Sequence, residues 1–160
     1  MTMMMFDNPS AQFPKDDLFK SAAMGQQPTA LTDIYHDTVN IAIWQRRLHT
    51  PISMAAEQFT TKLPRFEKSI STSPDRAYKD LVYATDGKAD TALLRDMAHL
   101  VDMFCCLFEL DQVGLRLAVL SGAMCPRFHV DNVPCRLVTT LDISLFFQRS
   151  IDITVDPKCR

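Results

Sequence analysis

Between Met124 and Thr140 one short stretch of the chain carries Cys125, Arg127, His129, Asp131, Cys135 and Arg136. These side chains can ligate a metal ion or hold a carboxylate. On an extended strand successive side chains point to opposite faces, so His129 and Asp131 would project from one face and could share an ion. Such a pair supplies two corners of the two-His-one-carboxylate triad, which leaves open positions on non-haem Fe(II) for substrate and oxygen. With 16 Asp and 4 His in 160 residues, about 0.4 His-x-Asp pairs arise by chance, so the pair gains weight only from its surroundings. Taken alone it reads more simply as a strand-end histidine beside a carboxylate, followed by a turn-forming Asp131-Asn132 before Pro134.

Cys125, His129, Asp131 and Cys135 also permit a second arrangement, a Cys-x3-His-x-Asp-x3-Cys set closing around Zn(II). No Cys-x2-Cys knuckle is present, and both ends of a short segment pinned to one ion would force a sharp bend. Arg136, five residues past Asp131, could make a bidentate pair with a carboxylate. That carboxylate could belong to a substrate, to a 2-oxo acid such as 2-oxoglutarate, or to a structural aspartate, and Arg127 has the same options with a weaker case. Cys105 and Cys106 are adjacent on a predicted helix, about 100° apart, so at most one shares a given face, and buried thiols are the simpler reading. His99 sits one position off an apolar stripe and reads as a surface or boundary histidine. His36 and His49 lie in or near predicted loops, from which either could supply a distant third ligand.

These residues are set by a coarse series of elements. Residues 1–30, with Pro9, Pro14, Pro28 and Gly25, read as a loosely packed arm with one helical turn at Asp16 to Met24. Val39, Ile41 and Ile43 alternate up to Trp44, the period of a strand. Thr50 as N-cap with Pro51 next predicts a helix to about Lys62, and Ser73-Pro74-Asp75 predicts another to Ala84, ended by an Asp86-Gly87 turn. The strongest pattern follows from Asp90 to Leu110, where Leu93, Met97, Leu100, Phe104 and Leu107, joined by Leu94, Val101 and Phe108, keep the three-and-four spacing of an amphipathic helix. Three predicted strands come next: Leu115 to Leu120, Phe128 to Asp131 and Cys135 to Thr140. A helical N-terminal half leading into antiparallel strands is an α+β domain with helices backing a sheet.

Composition excludes several function classes. A chain with 47% hydrophobic and 22% charged residues can bury a core. A formal net charge of −2, with signs interspersed, offers no basic stripe for nucleic acid and no cationic cluster for an anionic membrane. No run approaches the roughly 20 apolar residues of a membrane span. The Met-rich start lacks a basic leading region and an apolar run, so no secretory signal is expected. Five cysteines, two adjacent, read as reduced thiols in a cytoplasmic protein. There is no Gly-x-Ser-x-Gly elbow, and only four glycines, in no phosphate-binding pattern. A small molecule is the expected partner, and the sequence fixes no oligomeric state.

The run Met124-Cys125-Pro126-Arg127-Phe128-His129-Val130-Asp131, with Val133 and Arg136-Leu137-Val138-Thr139-Thr140, resembles the signature of the bacterial domain-of-unknown-function family 1826. Val39 to Arg46 and Asp96 to Leu120, with Gly114-Leu115-Arg116-Leu117, resemble it too, so the likeness covers roughly residues 30–140, with 1–30 an arm outside it. The resemblance implies a mononuclear metalloprotein similar to cupins or Fe(II)/2-oxoglutarate-dependent oxygenases, with His129, Asp131 and secondarily Cys125 as ligands and an arginine on the far carboxylate. The implied fold is a double-stranded β-helix, incomplete here. Family members are expected to continue after Thr140 with a Tyr, a Gly-Pro-Gly-Thr-Glu-Trp-like turn and a distal His. This chain reads Leu141-Asp142-Ile143-Ser144 and has no later histidine, so residues 141–160 are expected to be an atypical tail of a truncated or frame-shifted, impaired copy.

Overall fold

A computed structural model describes the backbone of residues 21–120, 135–142 and 150–157. The chain divides into two compact units, Met1–Arg47 and Leu48–Arg160.

In the first unit β1 (Ser21–Gly25) pairs in parallel with β2 (Val39–Trp44), joined through a 3-10 helix, Pro28–Tyr35. Pro28 supplies the fixed φ that starts this helix. The helix packs so closely that a Cβ on Gly25 would lie 2.7 Å from the Ala30 Cβ. Trp44 closes the unit by donating its indole N–H to the Gln26 carbonyl at 3.1 Å, with the Arg46 guanidinium 5.5 Å from its ring centre. The predicted strand at Val39 to Trp44 is present. Ser21 to Met24 is strand, where the sequence suggested part of a helical turn.

The second unit sets helices α1 (Thr50–Lys62), α2 (Ala77–Ala84) and α3 (Thr91–Phe108) with a four-stranded antiparallel sheet of order β3-β4-β6-β5. The strands are β3 (Glu67–Thr72), β4 (Val113–Leu120), β5 (Leu137–Asp142) and β6 (Ser150–Pro157). The architecture is therefore mixed α+β. The N-terminal half is not simply helical, because β1, β2 and β3 fall within it.

Helix α3 forms where the periodicity is strongest, and Leu93, Leu94, Met97, Leu100, Val101, Phe104 and Cys105 are the residues it buries. Each fully buried aliphatic side chain stabilises the fold by about 1.5–3 kcal/mol relative to exposure, so this stripe anchors the core. The helix starts where the Asp90 carboxylate accepts the Ala92 N–H at 2.7 Å. It stops at Glu109, in left-handed conformation (φ 50°), with the Leu110 N–H reaching back to the Cys105 carbonyl. Helices α1 and α2 lie against α3, and α3 contacts β4 and β6. Strand β4 buries Val113, Leu115, Leu117 and Val119 on one face, the period-2 match to the helical stripe.

Two predicted starts are displaced. The first turn of α1 is capped by the His49 carbonyl, not by the Thr50 side chain, and α1 begins at Thr50. The Ser73 carbonyl accepts both the Arg76 and Ala77 N–H groups, so α2 begins after a turn rather than at Pro74. Within that turn the Ser73 hydroxyl donates to Asp75 at 2.6 Å, which lowers the Asp75 pKa below the ordinary aspartate value. Sequence reading missed β3 because an edge strand carrying Glu67, Lys68 and Ser69 buries only Thr72 fully.

Candidate functional site

The stretch rich in potential ligands joins β4 to β5. Strand β4 ends at Leu120, opposite Ser150 of β6, and Ser150 is opposite Asp142, the last residue of β5. Strand β5 starts at Leu137, opposite Val155, which is itself opposite Leu115. Flanking β6 on its two sides, β4 and β5 run parallel to each other, so the connection 121–136 must return about 17 Å along the sheet. Sixteen residues can span roughly 53 Å, three times that distance. A pair joined in this way cannot be a tight hairpin.

His129, Asp131, Cys125 and Arg127, and the predicted strand Phe128 to Asp131, lie outside the described residues. The two flanking members are described. Cys135 is half-buried and Arg136 is exposed, immediately before β5. The expected strand from Cys135 is displaced by two residues, to Leu137. From Cys135 onward exposure alternates: Cys135, Leu137, Thr139 and Leu141 are the less exposed set, and Arg136, Val138 and Thr140 are exposed. On an extended chain that alternation puts Cys135 and Arg136 on opposite sides of the backbone.

His36, His49 and His99 are all exposed, and His36 Nε2 lies 4.0 Å from an Asp33 carboxylate oxygen. Among the described residues no three His, Cys, Asp or Glu side chains are placed to hold one ion. The adjacent cysteines behave as helical geometry requires. Cys105 is buried and Cys106 exposed, and burial raises the Cys105 thiol pKa above its ordinary value.

Three polar features were not singled out from sequence. Arg116 on β4 donates through Nε (3.1 Å) and Nη2 (2.8 Å) to Glu67 Oε1 on β3, a cross-strand pair at positions 49 residues apart. The buried Thr72 hydroxyl donates to Asp80 Oδ2 at 2.8 Å, tying β3 to α2. A cleft of about 220 Å³ is lined by Ala55, Gln58, Phe59 and Lys62 of α1 and by Lys88, Ala89 and Asp90 before α3. Each depends on long-range packing, which local spacing does not reveal. Among the described residues no helix is long and apolar enough to cross a membrane.

A family model described as "Protein of unknown function (DUF1826)" matches residues 25–142. The chain belongs to this family. The DUF1826 match contains the whole β4-to-β5 connection, with His129, Asp131 and both flanking cysteines. It opens at Gly25, the last residue of β1, and closes at Asp142, the last residue of β5. Strand β6, which lies between β4 and β5 in the sheet, falls beyond the DUF1826 match. No curated protein and no solved structure matches the chain.

Proposed function

We propose that the protein is a cytoplasmic mononuclear metal-binding protein whose ligands come from the connection between β4 and β5, with His129 and Asp131 at its centre. The observation that supports this reading is the placement of Cys125, Arg127, His129 and Asp131 on one connection that leaves the sheet at Leu120 and returns at Leu137. Imidazole and carboxylate suit Fe(II) or Zn(II). In the finer form of the proposal the site is similar to those of cupins and 2-oxoglutarate-dependent oxygenases, and the antiparallel sheet is part of an incomplete double-stranded β-helix. Fe(II) bound there would supply open coordination positions for 2-oxoglutarate and oxygen, and Arg136 or Arg127 would hold the distal carboxylate of the 2-oxo acid. Arg136 is exposed at the entry to β5.

A second reading rests on Cys135. Its half-buried side chain lies at the end of the connection, which favours a Cys125, His129, Asp131, Cys135 set around Zn(II) and a non-catalytic role in zinc binding or metal homeostasis.

Metal titrations on the full chain test both. One equivalent of Fe(II), added anaerobically, or of Zn(II) is expected to bind, with affinity falling about 100-fold or more in His129→Ala and Asp131→Ala. Unchanged stoichiometry and affinity in both variants would remove the metal-binding proposal. Cys135→Ser separates the readings: it abolishes tight Zn(II) binding in the four-ligand site and spares Fe(II)-dependent binding of 2-oxoglutarate in the oxygenase-like one.

A further inference from the structure

The parallel pair β1–β2 has one covered face and one open face. Ala23, Gly25, Ala42 and Trp44 form the half-buried face, where Gly25 meets Ala30 of the 3-10 helix. In register on the opposite face are Ala22 beside Ile41 and Met24 beside Ile43. Met24 is 64% exposed, Ile41 53% and Ile43 38%. Parallel strands are normally covered on both faces, and an isolated two-stranded sheet is marginal in water. An apolar face of this kind needs a partner.

We infer that the chain's own first twenty residues, Met1–Lys20, dock on the face formed by Ala22, Met24, Ile41 and Ile43. Three observations select this occupant. The segment ends at Lys20, one peptide bond from the start of β1. It is rich in large apolar side chains, with Met3, Met4, Met5, Phe6, Phe13 and Phe19 among its residues. The face also has the wrong size for a second copy: four side chains offer on the order of a few hundred Å², against about 800 Å² per partner in a stable complex. A covalently attached segment works at millimolar effective concentration and does not need that area. Twenty residues can extend roughly 66 Å, several times the length of a five-residue strand.

The full chain, labelled at isoleucine and methionine methyl groups, provides the test. The docked segment predicts nuclear Overhauser contacts between the Ile41 and Ile43 methyl groups and phenylalanine rings of the segment. It also predicts shielding of the Met24 methyl from a soluble paramagnetic agent at all protein concentrations. In the double variant Phe13→Asp, Phe19→Asp those contacts disappear, and amide exchange in β2 quickens about tenfold. Tyr83→Ser, at an 85% exposed position on α2, leaves them unchanged. The inference is overturned if Met24, Ile41 and Ile43 are equally solvent-exposed in the wild type and the double variant. Shielding that appears only as a dimer forms with rising concentration would also overturn it, and would make a second copy the occupant.

Discussion

The two compact units bury their apolar residues very differently. In the second unit, α3 and β4 supply long runs of fully buried side chains, among them Leu93, Leu100, Leu115 and Leu117. In the first unit, none of the described residues is fully buried, although Val39-Asn40-Ile41-Ala42-Ile43-Trp44 is as apolar as most strands. The difference lies in coverage, not composition. An antiparallel sheet packed by helices on one face has closed its core, whereas a parallel pair with a short 3-10 helix has closed one side of itself. Apolar residues stabilise a fold only when something removes them from water.

The largest expected effect sharpens that contrast. Leu100→Ala, at a 1% exposed position central to α3, should cost about 2–5 kcal/mol through lost transfer energy and a residual cavity, read from urea unfolding of the second unit. Gly25→Ala is the matching probe of the first unit, because the new Cβ would press on Ala30 backed by the 3-10 helix. It should cost about 1–3 kcal/mol and speed amide exchange in β1 and β2, while the α3 amides stay protected as before. Equal loss of protection in both units would break the distinction between them.

Smaller effects belong to the ends of α3. Asp90→Ala removes the acceptor for the Ala92 N–H and should lower the stability of the second unit by about 1 kcal/mol. Glu109→Gly relieves a left-handed backbone at a non-glycine residue and should raise it by about 0.5–1 kcal/mol, visible as a higher thermal midpoint. The smallest effect is chemical. Cys106 should react with a thiol reagent well before Cys105, whose burial keeps it protonated. Because the Cys105 pKa is raised on folding, its contribution to stability is complete below the unfolded thiol pKa and is lost as pH rises through the folded value. Equal labelling rates in native protein would show that α3 opens at its C-terminal turn.

Much of this was legible in the residues themselves. The α3 stripe, the Asp86-Gly87 turn with both residues at positive φ, the alternation of β2 and the DUF1826 signature around His129 and Asp131 all rest on short-range spacing. The mixed α+β class followed from their order. The capping of α1 by the His49 carbonyl and the late start of α2 shifted by one to a few residues, because backbone carbonyls can close a first turn as well as side chains can.

What the sequence by itself determined is therefore local: which segments are periodic, roughly where helices and turns fall, and which residue types sit together between Met124 and Thr140. Tertiary structure decided which strands are neighbours. Strand β3 is polar and exists because β4 offers it a ladder. Strand β6 lies between β4 and β5 although it follows both in sequence, and that insertion places the ends of the 121–136 connection about 17 Å apart along the sheet. Pairing across such separations is set by backbone hydrogen bonding and by burial against α3, and neither has a period that can be read along a single chain.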